Sequence, residues 1–315
     1  MPAAVLLVLA TLFWAGNYLV GEQVVGVVDP LSLTWWRWVL SALPLVVLAQ
    51  LLERPDWRAV ARHWRSLLVY GVIGVAGYPL LLYAALQHTS AASASIINAA
   101  NPAVIVVAAV LLGQAVARWD TWAGVGLGLV GVLLVLTRGD LDRLLALRFN
   151  LGDLLMLAAV LAWTAYTLLG RRLGVPPLAS TAVQVVLTTL VLTPVTLVSG
   201  LAVPPDATSW WSVVYIVIGP SIGSYVCWNL AVSKVSPTVA GVSMNLVTVF
   251  TLAIAALLGQ PPTLVQLLGG ALVITGVLVT SGLLTRRRPG PTSIPPGVCC
   301  GDDDPPGRRR PRPSP

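Results

Sequence analysis

The chain contains ten long stretches that are rich in apolar residues and almost free of charge. A helix needs about 20 apolar residues to cross the hydrocarbon core of a bilayer, which is about 30 Å thick. The stretches occupy residues 3–20, 31–52, 66–87, 91–113, 121–137, 151–170, 179–201, 209–231, 237–259 and 264–285. Because backbone in a bilayer must satisfy its own hydrogen bonds, this pattern predicts an all-α polytopic membrane protein with ten transmembrane helices.

Composition and charge exclude several other classes of protein. Hydrophobic residues make up 57% of the 315 residues and charged residues 10%, whereas soluble domains carry about 25% charged residues. A net charge of +7 suggests nucleic-acid binding in a soluble protein, but here the arginines lie between the apolar stretches and in the C-terminal tail, so no nucleic-acid partner is expected. Three cysteines at positions 227, 299 and 300 offer neither a disulfide framework nor metal-ligand spacing, so no metal or other cofactor is expected.

Basic residues between the stretches set the expected orientation, because cytoplasmic loops are enriched in Lys and Arg. With a cytoplasmic N-terminus, the inner connections hold Arg54, Arg58, Arg62, Arg65, Arg118, Arg171, Arg172 and Lys234, and the outer ones hold Arg138, Arg143 and Arg148. We therefore predict a multi-pass protein of the cell (inner) membrane with both termini cytoplasmic. Residues 286–315 are rich in Arg and Pro and are predicted to form a disordered cytoplasmic tail. Tryptophans near the ends of the stretches, Trp38 among them, are interpreted as interfacial anchors.

The sequence repeats itself in two halves. The aligned segments are Phe13–Gly21 with Ala162–Gly170 at a shift of 149, Leu111–Gln114 with Leu257–Gln260 at a shift of 146, and Gly124 and Gly131 with Gly269 and Gly276 at a shift of 145. The same signals in the same order define two five-helix halves, residues 3–137 and residues 151–285. Since five is odd, two halves with one fold must lie in the membrane with opposite orientations, as in alternating-access carriers.

These residues resemble the EamA type of the drug/metabolite transporter superfamily, whose members are built from two EamA repeats. The resemblance covers residues 5–284 and includes Trp-Ala-Gly-Asn at residues 14–17, Asp29-Pro30, Arg37, Leu86–Ser90 before the Pro102 helix, Leu-Leu-Gly-Gln before Trp122, and a second set from Trp163 to Gly276. It implies a transporter that exports amino acids, related metabolites or drugs, with a central cavity lined by helices 1, 3, 4, 6, 8 and 9. Members commonly carry Glu where this chain has Gln114 and Gln260.

Aromatic side chains within the stretches form the first set of candidate substrate-binding residues. Pairs three or four residues apart share a helix face, and Trp14 and Trp163 occupy equivalent places in the repeat. The set is Trp14, Tyr18, Tyr83, Trp163, Tyr166, Tyr225 and Trp228, with Tyr83 included on the resemblance. Such a wall suits flat apolar or cationic substrates through contacts worth roughly 0.5 to 2 kcal/mol each. The alternative is that these residues only pack the helix bundle.

Amides within the stretches form the second set. Five asparagines lie there, Asn17, Asn98, Asn101, Asn229 and Asn245, and all except Asn229 are taken as candidate substrate-binding residues. An unpaired amide in hydrocarbon is costly, so each either bonds to another helix or faces a wet cavity, and both alternatives stay open. Local helix breaks that expose backbone are predicted at Pro79, Pro102 and Pro220, because proline removes a backbone donor.

Two further features have structural interpretations. Arg37 lies about five residues, or about 8 Å of helix rise, from the start of its stretch, so it is expected to snorkel to the outer surface; binding a substrate carboxylate is the alternative. Residues 126–131 satisfy the dinucleotide motif Gly-x-Gly-x-x-Gly. They lie inside an apolar stretch, without the strand that the motif requires, and are predicted to be a helix-packing stripe.

The sequence therefore predicts a secondary transporter of small organic molecules that works by alternating access. The Gly-x-x-x-x-Gly-Lys-Ser/Thr motif for ATP binding is missing from the sequence. Asp153, at the end of its stretch, is the one acid inside the ten stretches, so we expect uniport, exchange or coupling without a deeply buried acid. A channel-like facilitator and a membrane-embedded enzyme are the alternatives. No catalytic or metal-binding residue is expected, because no His-Glu-x-x-His motif occurs and in-span acids are scarce.

Overall fold

The secondary structure of the described residues is helical throughout. The computed structural model describes residues 2–113, 119–140, 150–170, 174–232, 234–235 and 243–280, and no strand occurs among these residues. Met1–Thr285 form one compact unit. The prediction of an all-α fold is confirmed. Several predictions concern residues outside the described ranges: the tail at 286–315, Gln114, and the loop residues Arg118, Arg143, Arg148, Arg171 and Arg172.

The helices follow the predicted apolar stretches closely. Those of the first half are α1 (Ala3–Val24), α2 (Pro30–Leu52), α3 (Trp57–Arg62), α4 (Trp64–Tyr70), a first π segment (Gly71–Gly77), α5 (Tyr78–Leu86), α6 (Ala91–Ala99), α7 (Asn101–Leu111) and α8 (Trp119–Leu136). Those of the second half are α9 (Leu151–Gly170), α10 (Pro177–Ser199), α11 (Ala207–Ile216), a second π segment (Val217–Gly223), α12 (Ser224–Val232), α13 (Leu246–Leu257) and α14 (Leu264–Thr280).

Seven helical runs of the described chain are long and apolar enough to cross a membrane. These runs are Ala3–Val24, Pro30–Leu52, Trp64–Leu86, Ala91–Leu111, Leu151–Leu169, Pro177–Ser199 and Ala207–Ala231. Three shorter apolar helices cover Trp122–Val135, Leu246–Leu257 and Leu264–Val279. The protein is therefore multi-pass, and the full count of ten spans stays a prediction. Helix α1 continues to Val24, past the predicted end at residue 20. It therefore contains the acid Glu22, which the predicted stretch did not.

Polar side chains cap the N-termini of several of these helices. The Asp29 carboxylate accepts hydrogen bonds from the backbone N–H groups of Leu31 and Ser32, at 3.0 and 2.9 Å. Asp206 caps α11 through the N–H of Ser209 at 2.8 Å, and this hydrogen bond lowers the pKa of the exposed Asp206 carboxyl. Each cap satisfies backbone donors that lack a partner within the helix, and so stabilises the start of the helix at that residue.

The two π segments lie at equivalent places in the two halves, 146 residues apart. The first ends just before Pro79, and the second contains Pro220. A third interruption separates α6 from α7 at Ala100, two residues before Pro102. The helix breaks predicted at these three prolines are confirmed. Widened turns of this kind are frequent at functional sites in membrane and soluble helices.

Indole groups from neighbouring helices donate to carbonyls inside both π segments. Trp38 Nε1 lies 2.6 Å from the carbonyl oxygen of Val75, and Trp14 Nε1 lies 3.2 Å from that of Pro220. Trp38 is completely buried. The interpretation of Trp38 as an interfacial anchor is therefore wrong, because its N–H finds a backbone acceptor inside the bundle rather than at the lipid headgroups.

Helices α8 and α14 pack against each other through glycines. A Cβ built on Gly131 would lie 2.6 Å from the carbonyl oxygen of Gly269, and one built on Gly276 would lie 2.5 Å from that of Gly124. The helices therefore run antiparallel with their backbones in contact, as small residues permit in membranes. The predicted packing stripe is confirmed at Gly131, whereas Gly126 faces open space.

Helices α2 and α10 are bonded to each other at both ends. The Glu53 carboxylate accepts hydrogen bonds from the N–H groups of Leu178 and Ala179, at 2.8 and 2.7 Å, at the start of α10. At the opposite end the N–H of Ala202 donates to Ser32 Oγ at 2.9 Å. A carboxylate at a helix N-terminus is stabilised by the free N–H groups and by the helix dipole. This antiparallel pair joins the first half to the second.

Candidate functional site

A small cavity lies inside the bundle, with walls from both halves. Its volume is about 40 Å³, far below the roughly 300 to 1,000 Å³ of pockets that enclose drug-sized ligands. Its walls are formed by Trp14, Asn17, Tyr18, Arg37, Tyr78, Pro79, Leu82, Asn98, Asn101, Trp163, Tyr225, Met244 and Val247. In this state the cavity is therefore too small to enclose a molecule of that size.

Seven of the eleven predicted site residues line this cavity. They are Trp14, Asn17, Tyr18, Asn98, Asn101, Trp163 and Tyr225. They come from α1, α6, α7, α9 and α12, so residues distant in the sequence meet at one place. The structure thus brings together both sets that the sequence singled out, the aromatic residues and the amides.

The other four predicted residues lie next to the cavity rather than on its wall. The Tyr83 hydroxyl donates to Asn17 Oδ1 at 2.9 Å. The Tyr166 ring packs against Trp163, with 5.3 Å between ring centroids, and the Trp228 ring packs against Trp14 at 5.4 Å. Asn245 is 4% exposed and follows the wall residue Met244, and its side-chain amide has no hydrogen-bond partner among the described residues.

A chain of hydrogen bonds crosses the cavity wall from one half to the other. Thr164 Oγ1 of the second half donates to Asn101 Oδ1 at 3.3 Å, and Asn101 Nδ2 donates to Asn98 Oδ1 at 3.1 Å. The Tyr78 hydroxyl donates to the same Asn98 oxygen at 3.1 Å and lies 3.0 Å from the Tyr18 hydroxyl. Asn98 and Asn101 therefore bond to other helices and also face the cavity, so the two alternatives raised for the amides hold together.

Aromatic rings cluster on two sides of the cavity. Trp14 of the first half meets Tyr225 of the second half, with 6.0 Å between ring centroids. Trp163 of the second half meets Tyr78 of the first half at 5.2 Å. A Cβ on Gly74 would lie 2.3 Å from the Tyr166 ring behind Trp163, so only glycine lets the first π segment approach this cluster. Each tryptophan is thus held by aromatic residues of the opposite half.

Six cavity residues lie outside the predicted set, and two of them, Arg37 and Tyr78, carry polar side chains; for Arg37 the sequence had left binding of a substrate carboxylate open as the alternative. Arg37 is 4% exposed and lines the cavity, and its Nη1 donates to the Tyr83 hydroxyl at 3.0 Å. The expectation that Arg37 snorkels to the outer surface is therefore wrong, because tyrosine and tryptophan side chains of the bundle surround its guanidinium. Tyr78 could have been found from its position beside Pro79, where a helix break was already predicted.

A larger polar cleft lies where α1, α5 and α8 end and where α6, α9 and α14 begin. Its volume is about 570 Å³. It is lined by Glu22, Leu86, Gln87, His88, Thr89, Ser90, Ser93, Val135, Arg138, Asp153, Thr263, Val265 and Gln266. Glu22 accepts a hydrogen bond from the N–H of Ala91 at 3.2 Å, and Asp153 accepts one from the Thr89 hydroxyl at 2.6 Å. The cleft is wide and hydrophilic, in contrast to the narrow aromatic cavity.

Apolar helices of membrane-spanning length, packed around an internal cavity with polar and aromatic walls, define a multi-pass membrane protein. The model of the EamA-like transporter family matches residues 1–137 and 150–282. The chain belongs to this family, and the family resemblance found in the sequence is confirmed. It is a transporter, since that is the activity by which the family is described.

Several curated relatives match over most of their length. The chain is 26% identical to an uncharacterized transporter, YyaM, of Bacillus subtilis strain 168, over 87% of this chain and 92% of that protein. It is 30% identical to a probable terminal-alkyne amino-acid exporter of Streptantibioticus cattleyicolor, over 90% and 94%. It is 24% identical to the aromatic amino acid exporter YddG of Ancylobacter novellus, over 88% and 96%.

A protein of known crystal structure has the same fold. The two chains superpose with a TM-score of 0.66 at 24% sequence identity, over 90% of this chain and 99% of the other. At this level of identity the likeness concerns the fold alone.

Proposed function

We propose that the chain is a secondary transporter that exports small organic metabolites across the cell (inner) membrane by alternating access, with aromatic amino acids and related compounds as the first candidates. The cavity is the observation that carries this proposal. Trp14 and Trp163, which are equivalent in the repeat, line it from opposite halves together with buried amides. The relatives named as amino-acid and aromatic amino acid exporters support the substrate class and the direction.

The proposal includes ten transmembrane helices in two inverted five-helix halves, residues 3–137 and 151–285. At a shift of 145 residues, Gly131 of the first half is equivalent to Gly276 of the second, and Gly124 is equivalent to Gly269. The contact of Gly131 with Gly269 then becomes the contact of Gly276 with Gly124, which is the second close approach between α8 and α14. Antiparallel helices whose contacts interchange in this way are related by a twofold axis perpendicular to them, which supports inverted halves.

The pair α2 and α10 supports the same relation. At a shift of 147, which aligns Pro30 with Pro177, Ser32 corresponds to Ala179. Ala179 bonds to Glu53 at one end of the pair and Ser32 bonds to Ala202 at the other, so one member of each bond occupies an equivalent position. The two π segments, at a shift of 146, add a third correspondence.

The cavity and the cleft follow one another along the same helices. Trp14, Tyr18 and Glu22 succeed each other at intervals of four on one face of α1; the first two line the cavity and the third lines the cleft. On α5, Leu82 lines the cavity and Leu86 the cleft. We infer that the cleft is the outer vestibule, into which cargo passes when the halves rock against each other and open the cavity on that side.

Counterflow in proteoliposomes tests the transport proposal. Vesicles loaded with excess unlabelled aromatic amino acid are expected to accumulate the same labelled compound transiently, whereas protein-free vesicles do not; a small neutral amino acid and a quaternary amine complete the panel. A carrier that returns loaded produces this overshoot, but a channel-like facilitator only equilibrates the label. Absence of overshoot for the whole panel contradicts the proposal. Uphill accumulation driven by a pH gradient alone would contradict uniport or exchange, which we expect because the cavity walls formed by the described residues contain no acid.

Labelling of single cysteines tests the orientation. Arg58 and Asp206 are both exposed and lie in connections predicted to face opposite sides of the membrane. In a background with Cys227, Cys299 and Cys300 replaced by serine, an impermeant maleimide added to whole spheroplasts is expected to modify Asp206→Cys and to spare Arg58→Cys. The reverse pattern would place both termini on the outside.

A further inference from the structure

Arg37 carries a positive charge into the wall of the cavity, and none of the described residues pairs with it through a negative charge. Its side chain is 4% exposed. Among the described residues it donates one hydrogen bond, from Nη1 to the Tyr83 hydroxyl, and its Cζ lies 4.6 Å from the centre of the Trp38 ring. Its Nε is buried and has no partner in the described part of the chain. A guanidinium has five N–H donors, so most of its capacity to bind an anion is unused here.

Four described carboxylates in or beside the membrane-spanning helices form hydrogen bonds elsewhere. Their hydrogen-bond donors are the N–H of Ala91 for Glu22, the N–H groups of Leu31 and Ser32 for Asp29, those of Leu178 and Ala179 for Glu53, and the Thr89 hydroxyl for Asp153. None of these acids lines the cavity. Burying a cation away from water is costly unless an anion accompanies it, so an anionic group on the cargo would balance the charge of Arg37.

The remaining walls of the cavity define the rest of the cargo. Trp14, Tyr78 and Trp163 supply flat faces for a ring. The side-chain oxygens of Asn17 and Asn98 already accept hydrogen bonds from Tyr83 and Tyr78. With no acid on the described walls, an ammonium group has no carboxylate to pair with, whereas a carboxylate matches the planar fork of Arg37.

We propose that Arg37 is the specificity-determining residue of this cavity and that the cargo is an aromatic monocarboxylate, recognised by its carboxylate and its ring and not by its amino group. This inference rests on the proposed transport function and specifies its substrate class. The carboxylate of the cargo supplies the charge that balances Arg37 in the closed cavity, so closure around the cargo is favoured over closure around water.

Four probes with the same ring and similar length test the inference by binding to the purified full-length protein. 3-Phenylpropionate and L-phenylalanine carry a carboxylate, whereas phenethylamine and L-phenylalaninamide do not. The two carboxylates are expected to bind at least tenfold more tightly than the two cations, and 3-phenylpropionate about as tightly as L-phenylalanine. Equal or tighter binding of phenethylamine or L-phenylalaninamide overturns the inference.

Substitution of Arg37 assigns the effect to this residue. Arg37→Gln is expected to weaken binding of 3-phenylpropionate at least tenfold without weakening that of phenethylamine. Arg37→Lys keeps the charge but loses the planar guanidinium that can bind a carboxylate through two N–H groups. Its affinity for 3-phenylpropionate is expected to lie between those of Arg37→Gln and the wild type. The exposed Arg58→Gln serves as the matched control and is expected to bind all four probes as the wild type does. An unchanged carboxylate preference in folded Arg37→Lys and Arg37→Gln overturns the assignment; if Arg37→Gln fails to fold, Arg37→Lys and the wild-type panel decide.

The outcomes also separate this inference from the transport proposal. Counterflow of small neutral amino acids or quaternary amines, combined with failure of 3-phenylpropionate to bind, leaves the transport proposal standing and overturns the inference. Failure of the whole counterflow panel, combined with carboxylate-selective binding that depends on Arg37, supports the binding inference and overturns the transport proposal.

Discussion

Replacing Trp163 with alanine is expected to slow counterflow of aromatic cargo at least about tenfold. The indole lines the cavity and contacts the rings of Tyr78 and Tyr166, at 5.2 and 5.3 Å between centroids. Each such ring contact is worth roughly 0.5 to 1.5 kcal/mol, and about 1.4 kcal/mol corresponds to a factor of ten in affinity. The variant loses both the stacking face offered to cargo and the support that orients its neighbours.

Trp211→Ala is the matched control for this prediction. Trp211 is 71% exposed and does not line the cavity, so its removal is expected to leave counterflow within about twofold of the wild type. Trp163→Phe keeps an aromatic face and is expected to retain part of the activity. If Trp163→Ala transports every compound of the panel as fast as the wild type, the aromatic wall has no part in transport.

Replacing Gly131 or Gly276 with alanine is expected to destabilise the folded protein by about 1 to 3 kcal/mol, as overpacking of a tight contact does. In both cases the new Cβ would meet backbone atoms of the opposite helix, at 2.6 and 2.5 Å. Backbone cannot turn away as a side chain can, so α8 and α14 must separate. The measurement is the apparent melting temperature of the purified protein in detergent.

Gly126→Ala is the matched control, because Gly126 lies on α8, the same helix as Gly131. A Cβ on Gly126 meets nothing within 4 Å. Its melting temperature is expected to equal or slightly exceed that of the wild type, because glycine inside a helix is less favourable than alanine by roughly 0.5 to 1 kcal/mol. Equal stability of Gly126→Ala and Gly131→Ala would contradict the close approach of the two helices.

Much of the fold was predictable because it depends on patterns that repeat along the chain. Apolar length placed most helices to within a few residues, and the three prolines marked the interruptions; the described helix of the 237–259 stretch begins only at Leu246. The glycine motif at residues 126–131 predicted a packing face, although only the structure distinguished Gly131, which touches the opposite helix, from Gly126, which does not. Periodicity identifies a face of a helix, but the partner and its distance depend on how the helix is docked.

The candidate site was only partly predictable, and the errors share one cause. Arg37 was judged by its distance from the end of its own helix, which indicates a short path to the membrane surface. In the bundle its guanidinium instead contacts two side chains, Tyr83 of α5 and Trp38 of α2 itself. Trp38 was misjudged in the same way, since the acceptor of its N–H belongs to a π segment 37 residues further along the chain.

The sequence by itself determined that this protein is helical, lies in a membrane and belongs to a family of transporters, because hydrocarbon imposes length, low charge and helical hydrogen bonding on every crossing segment. Only the tertiary structure decided which polar groups face the cavity and which bond to other helices. It placed the Arg37 guanidinium beside the aromatic rings and left the acids at the helix ends. Those pairings arise between helices far apart in the sequence, where no local rule of spacing operates.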